Sequence, residues 1–286
     1  KIMKTITKQI TVLAVFGLIS ASAYSQANSY SVNSETLYRH GYNSGGANVQ
    51  ENTDSVTTGG TTRYWVYPDL SLNPGYDVNN PLTTPLTSAF NWTTSGATGT
   101  ATGTIAAVGA YGTYTNYKQV TWGGTGTINL NATETSGAGC VGGTAVTTPI
   151  AVIAAPDVTA IAFSALPCPT GTIPYTQAGP TATLTITCPV NGNKEVIVNW
   201  SLTCSNTSWH GGTAQTGTAN LGNSNTIDLS SVVNLSHPGT YTLTIVDITD
   251  RIATKSGLTA IADGTSNTFI LLPTPVTGPM YHVPNQ

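Results

Sequence analysis

Charge is what this chain has least of. Only 7% of its 286 residues are Asp, Glu, Lys or Arg, against about a quarter in ordinary soluble domains. The net charge is −3 with no cluster of Lys and Arg, which disfavours nucleic acid and anionic membrane surfaces as partners; neither nucleic-acid binding nor membrane insertion is expected. Long apolar runs are missing after residue 19, so no segment reads as inserted in a membrane. A 3.6-residue hydrophobic period nowhere persists across a dozen residues beyond the first 26, which argues against a helical architecture. No Cys-x-x-Cys, His-Glu-x-x-His, Gly-x-Ser-x-Gly or phosphate-loop pattern occurs. His40, His210, His237 and His282 each stand alone in a loop or tail. With no constellation for metal, nucleophilic or phosphoryl chemistry, the chain reads as a non-enzyme that needs no cofactor.

What is present begins with a leader. Lys1 and Ile2 precede Met3 and read as upstream read-through. Lys4 and Lys8 form a basic start, Val12 to Ile19 an apolar core, and SASAYSQA a small-residue exit. This is the pattern of a signal peptide over residues 1–26, cleaved after Ala23 or near Gln26, and it predicts an extracellular protein. Without Lys1, Lys4 and Lys8, six basic residues face twelve acids, a net charge of −6. Lys118, Lys194 and Lys255 are then the remaining lysines. The 52 threonines, thirteen tyrosines and five tryptophans are β-forming residues that disordered chains lack.

Residues 27–62 are polar and irregular and read as an N-terminal arm, extended or flexible. From residue 63 the chain alternates. Leu184, Ile186 and Cys188 share one face, as do Val196, Val198, Trp200, Leu202 and Cys204, then Tyr241, Leu243 and Ile245. Half-buried strands at this spacing, separated by Gly, Pro and Asn turns, predict an all-β protein of two tandem antiparallel β-sandwiches, at 63–155 and 156–275, before a tail at 276–286.

Two resemblances attach to these segments. Val120-x-Trp122, Gly123 to Gly126, Ile128-x-Leu130-x-Ala132, Glu134-Thr135 and Gly139-Cys140, with Phe90-Asn91-Trp92 upstream, resemble the PKD-like domains of secreted bacterial surface proteins. That resemblance covers about 64–155 and implies a spacer, adhesive module or fibre segment without catalytic residues. In the second half, Cys188 stands twelve residues before Trp200, and HPGTYTL (237–243) is similar to a tyrosine-corner segment. Together they resemble an immunoglobulin-like sandwich, which implies a core role for Trp200 and a corner role for Tyr241. Leu243 stands where antibody domains carry their second cysteine, and the resemblance offers Cys204 as its replacement. Pro238 to Tyr241 also resemble the turn of the C-terminal domains that direct cargo to type IX secretion, although this chain ends GPMYHVPNQ rather than in basic residues.

The remaining candidates are sites of binding or modification. Cys140, Cys168, Cys188 and Cys204 allow three pairings; Cys140–Cys168 with Cys188–Cys204 is the expected one, each bridge worth about 3 kcal/mol, and free thiols are the alternative. Trp92, Tyr111, Tyr114 and Tyr117 are dense enough to offer a sugar-stacking face, and core packing explains the same residues. Asp247 and Asp250 are candidate calcium ligands at a strand end, with solvated acids the plainer reading. Ser55, in Asp54-Ser55-Val56, matches a short O-glycan acceptor pattern.

Soluble sandwiches commonly guard their sheet edges with lysine, proline or inward charge. A chain so poor in charge is expected to associate with copies of itself, residues 27–62 or 273–286 adding a strand to a neighbour's sheet. The sequence therefore predicts a structural subunit of an extracellular fibre, sheath or surface layer. The alternative is an adhesin that binds surface glycans through its aromatics.

Overall fold

The computed structural model describes residues 29–32, 35–38, 54–77, 82–140, 145–166, 177–187, 195–222, 224–231 and 233–273. The expected leader, Cys168, Cys188, His40, His282 and the tail 276–286 lie outside them. The described chain is all-β. A hairpin comes first, β1 (Ser29–Val32) against β2 (Glu35–Tyr38). Next come β3 (Asp54–Thr57), β4 (Thr61–Trp65), β5 (Ala89–Ser95), β6 (Thr102–Ala107), β7 (Tyr117–Gly123), β8 (Gly126–Thr135) and β9 (Val146–Ile153). The later strands are β10 (Asp157–Phe163), β11 (Gln177–Ala178), β12 (Thr181–Thr187), β13 (Val196–Cys204), β14 (Gln215–Gly222), β15 (Thr226–Asp228), β16 (Asn234–Leu235) and β17 (Gly239–Thr249). A short helix α1 (Arg251–Lys255), β18 (Ile261–Ala262) and β19 (Ser266–Leu271) complete the order.

These strands build two sheet pairs. The sheet β3-β9-β8-β5 and the sheet β4-β7-β6 share one apolar cluster, with Val56, Ile128, Leu130, Ile150 and Val152 from the first and Val120 and Trp122 from the second. The sheet β10-β12-β15 and the sheet β14-β13-β17, extended by β18 and β19, share a larger one. There Leu184 and Ile227 meet Val198, Trp200, Leu202, Tyr241 and Leu243. Period-two alternation produces this directly: in β13, Val196, Val198, Trp200 and Leu202 are buried while the residues between them are partly open. Each fully buried large apolar side chain stabilises the fold by about 1.5–3 kcal/mol.

The first sheet pair starts earlier than residue 63. β3 runs parallel to β9, so the stretch read as an arm to residue 62 includes a sheet strand and the start of β4. Between β3 and β4 the chain crosses from one sheet to the other. Thr58 N donates to Ile153 O at 2.8 Å and Gly59 N to Trp122 O at 2.8 Å, tying the turn to both sheets.

The Gly-Thr run after Trp122 serves shape. Thr98 N donates to Thr127 O (2.7 Å) and Thr100 N to Thr125 O (2.8 Å). The hydroxyls return the bonds, Thr127 N donating to Thr98 Oγ1 (3.0 Å) and Thr125 N to Thr100 Oγ1 (3.1 Å). Gly124 and Gly126 have φ of +60° and +137°, and a Cβ there would lie 1.9 and 2.0 Å from the carbonyl oxygens of Thr100 and Thr98. Only glycine allows that approach. Threonine thus laces the β5–β6 link to the β7–β8 turn, and glycine makes room for it.

The lone charge of that region, Glu134, is a latch. Its Oε1 accepts from Ser88 Oγ (2.5 Å) and Asn73 Nδ2 (2.9 Å), and its Oε2 accepts from Asp69 N (2.9 Å). Asn73, 2% exposed, in turn accepts from the amides of Thr87 (2.9 Å) and Ser88 (3.1 Å). Both ends of the long β4–β5 connection are thereby fastened to β8. On that connection, the hydroxyl and amide of Ser71 donate to Asp69 and hold its carboxyl below the usual carboxylate value.

The two sheet pairs meet at the end of α1. Asp250 caps this helix, its Oδ1 accepting from Ala253 N at 2.7 Å. Ser256, fully buried, follows the last turn. Its Oγ accepts from Thr57 N (2.8 Å) and its carbonyl from Thr61 N (2.8 Å). A Cβ on Gly60 would lie 2.5 Å from Ser256 Cβ, so the two segments pack backbone to backbone.

Candidate functional site

An outer strand presents a row of backbone donors and acceptors to whatever can pair with them. The outer strands β5, β6, β14 and β19 contain no charged residue and no proline. The outer strands β3, β4, β10 and β15 carry one charge each, Asp54, Arg63, Asp157 and Asp228, and the borders are not finished equally.

Three borders are covered from within. Ser256 accepts from the last amide of β3, Thr57 N, and the first of β4, Thr61 N. β5 is met by the loop before β7, where Phe90 N donates to Thr115 Oγ1 (3.0 Å) and Trp92 Nε1 to Thr115 O (2.7 Å). β10 is laced by the segment from β18 to β19. Val158 N donates to Asp263 Oδ2 (2.8 Å), Thr265 Oγ1 donates to Val158 O (2.6 Å), and Asn267 Nδ2 donates to Ile161 O (2.7 Å). Asp263, Thr265 and Asn267 stand at every second position, and the turn at Gly264, with φ of +93°, leaves all three side chains bonded to β10.

The opposite seam of the same sheet pair differs. There β14 and β15 are the outer strands of the two sheets, and a cleft of about 230 Å³ opens between them. Trp200 and Ile227, both 3% exposed, form its apolar floor, and Thr218, Asn220 and Asp228 line its rim. Trp200 reaches this cleft because its β14 partner is Gly217, whose missing side chain leaves room for the indole.

The aromatic candidates separate. Tyr111, Tyr114 and Tyr117 gather in one small cluster with Leu82 and Val108, the Tyr111 ring 6.5 Å from Tyr114 and 6.1 Å from Tyr117. Tyr117 is 1% exposed, which withdraws its ring from any sugar-stacking face. Trp92 packs against the main cluster of the first sheet pair. Tyr111 and Tyr114 remain half-exposed. Nearby, burial pushes the Tyr76 phenol above its ordinary value against the opposing hydrogen bonds from Asn116 and Trp65.

The other candidates have structural partners. Tyr241 is fully buried, and its hydroxyl donates to His237 O at 2.7 Å, four residues back. Asp247 accepts from Asn199 Nδ2 at 2.8 Å, and Asp250 is the helix cap, so each carboxylate is engaged separately. Among the described residues no group of three or more His, Cys, Asp or Glu gathers to hold a metal. Cys140 is exposed and Cys204 half-buried, both as free thiols, and no disulfide occurs among the described residues. The Cys204 sulfur accepts from Asn206 N at 3.4 Å. Ser55 is half-buried in β3, opposite Ala151. No described helix is long and apolar enough to cross a membrane.

The sequence reading missed Glu134, Ser256 and the Asp263, Thr265, Asn267 row. The row has a sequence signal in its spacing. The other two act through partners 46–65 and 199 residues distant, and nothing local marks them.

No protein-family model matches this chain, and no curated protein does. Among solved structures, the D00–D0 domain of intimin is 15% identical over 79% of this chain and 98% of that one, with a TM-score of 0.26. Domains 5–6 of the S-layer protein SbsC are 17% identical over 79% and 95%, with a TM-score of 0.22. The tandem Ig repeats of Dlar are 13% identical over 74% and 92%, with a TM-score of 0.19. Scores of this size fall far short of superposable backbones and assign no family.

Proposed function

We propose that this protein is a non-enzymatic structural subunit of an extracellular fibre, sheath or surface layer, built as two β-sandwiches in tandem and joined to its copies through outer strands. The observation that carries this reading is that the outer strands β5, β6, β14 and β19 carry no charge while β3, β4, β10 and β15 carry one each, with a cleft at the β14–β15 seam and the β10 border laced. A protein selected to remain solitary gains by placing repulsive charge there; this chain places threonine, glycine and asparagine. The basic and apolar pattern before residue 26 supports export. Electron microscopy of the purified protein, beside tomography of the cell that makes it, tests the reading. Regular polymers with a matching repeat on the cell surface support it, and single particles in both preparations refute it.

A second reading is an adhesin module that takes sugars on the half-exposed Tyr111 and Tyr114 rings. Saturable binding on a glycan array, abolished by Tyr111→Ala with Tyr114→Ala, would favour it over the structural role.

A further inference from the structure

The two long borders of the second sheet pair are finished differently, and the difference points to a partner. At the β10 border, Val158 N, Val158 O and Ile161 O are already bonded to side chains of the same chain. A strand arriving there would have to displace three hydrogen bonds. At the β14 border, the outer strand of the five-stranded sheet carries eight residues, QTGTANLG, with neither charge nor proline. Beside it the cleft over Trp200 and Ile227 has room for side chains from an added strand.

The chain also carries a sheet that is too small. β1 and β2 have four residues each and pair only with one another among the described strands. A lone two-stranded hairpin is marginal in water, and a third strand or an apolar surface is needed for stability. Its two strands alternate hydroxyl and apolar residues in sequence, Ser29-Tyr30-Ser31-Val32 and Thr36-Leu37, as β14 does with Thr216, Gly217, Thr218 and Ala219. Residues 39–53 link the hairpin to β3, and about fifteen residues can span at most ~50 Å. A linker of that length permits pairing with a neighbouring molecule.

We propose that β14 is the docking edge for the β1–β2 hairpin of a second copy of this chain, so that each copy extends the β14-β13-β17 sheet of the next. This deepens the structural reading above and rests on it. β1 is the hairpin strand that meets β14, because it is as free of charge as β14 itself, whereas β2 carries Glu35. Backbone hydrogen bonds supply the affinity, and side chains entering the cleft set the register. Donor and acceptor differ, so the contact is heterologous, and repetition gives an open filament or a closed ring.

Two variants test this, each leaving the opposite surface intact. One lacks residues 29–38 and keeps β14. The other keeps the hairpin and carries Thr216→Lys with Thr218→Lys, both at exposed positions. Near-ultraviolet circular dichroism checks that each retains its fold, and sedimentation velocity reads assembly. Wild-type protein is expected to polymerise, each variant alone to associate about 100-fold more weakly, and an equal mixture of the two to form dimers that grow no further. Polymerisation of either variant at the wild-type concentration overturns the hairpin–edge assignment while leaving the structural reading standing. A mixture that stays monomeric overturns it as well. Wild-type protein that remains monomeric at every concentration removes the structural reading itself, and this inference with it.

Discussion

The Trp200 indole lies across Gly217, its cross-strand partner, so closely that a Cβ on the glycine would stand 2.3 Å from Cζ2 of the ring. Trp122 and Gly103 repeat the relation in the first sheet pair, at 2.8 Å from Cζ3. Strand propensity alone favours Val over Gly at such positions, whereas steric overlap with a buried ring disfavours it. The two effects oppose each other, and the overlap is larger. Gly217→Val should destabilise the protein by about 1–3 kcal/mol, read from urea unfolding. A stabilised variant would mean that the indole is free to move aside.

The lacing of β10 makes a prediction about association as well as stability. Thr265→Val with Asn267→Leu removes the donors to Val158 O and Ile161 O. Each carbonyl left unpaired costs about 1–3 kcal/mol, and the uncovered strand becomes a second pairing edge. Lower stability together with irregular aggregates by light scattering is the expected outcome. A variant equally stable and equally soluble would show that the row does not guard the border.

Glu134 fastens the β4–β5 connection through Ser88, Asn73 and Asp69. Glu134→Ala should cost about 1–3 kcal/mol and expose residues 66–88 to protease well before the sheets unfold. Cleavage mapped by mass spectrometry checks this. Cleavage confined to other segments would contradict the latch.

Ser256 joins the sheet pairs by accepting from the buried Thr57 amide. Ser256→Ala leaves that amide without its acceptor, at a cost of about 1–3 kcal/mol. Hydrogen exchange at Thr57 and Thr61 should accelerate by tenfold or more, a change of about 1.4 kcal/mol or greater, while exchange in β13 and β17 stays slow. Unchanged protection at both amides would remove Ser256 as the clasp.

The strands of this protein are legible where a half-buried surface writes a two-residue period, as in Ala182 and Leu184 of β12 or Val196 to Leu202 of β13. Pairing is less legible. The parallel register of β3 on β9 joins residues about 96 apart, Asp54 to Ile150 and Thr57 to Ile153, and SVT has no alternation long enough to announce it. The helix α1 has five residues, too few for a 3.6-residue period to register, and its cap Asp250 looks in sequence like any strand-end acid. Border protection was hardest to read. It is usually sought as Lys or Pro, and here it is distributed over Asp263, Thr265, Asn267, Thr115 and Ser256, whose partners are set by tertiary packing.

A single concentration series bears most directly on the claim that uncharged outer strands make this chain join its own copies. Sedimentation velocity of the purified protein from micromolar to millimolar concentration, at physiological salt, should show growth into species of regularly increasing mass. Salt should barely change that growth, because backbone pairing between uncharged strands owes little to ionic attraction. One sharp monomer boundary throughout the series would contradict the account.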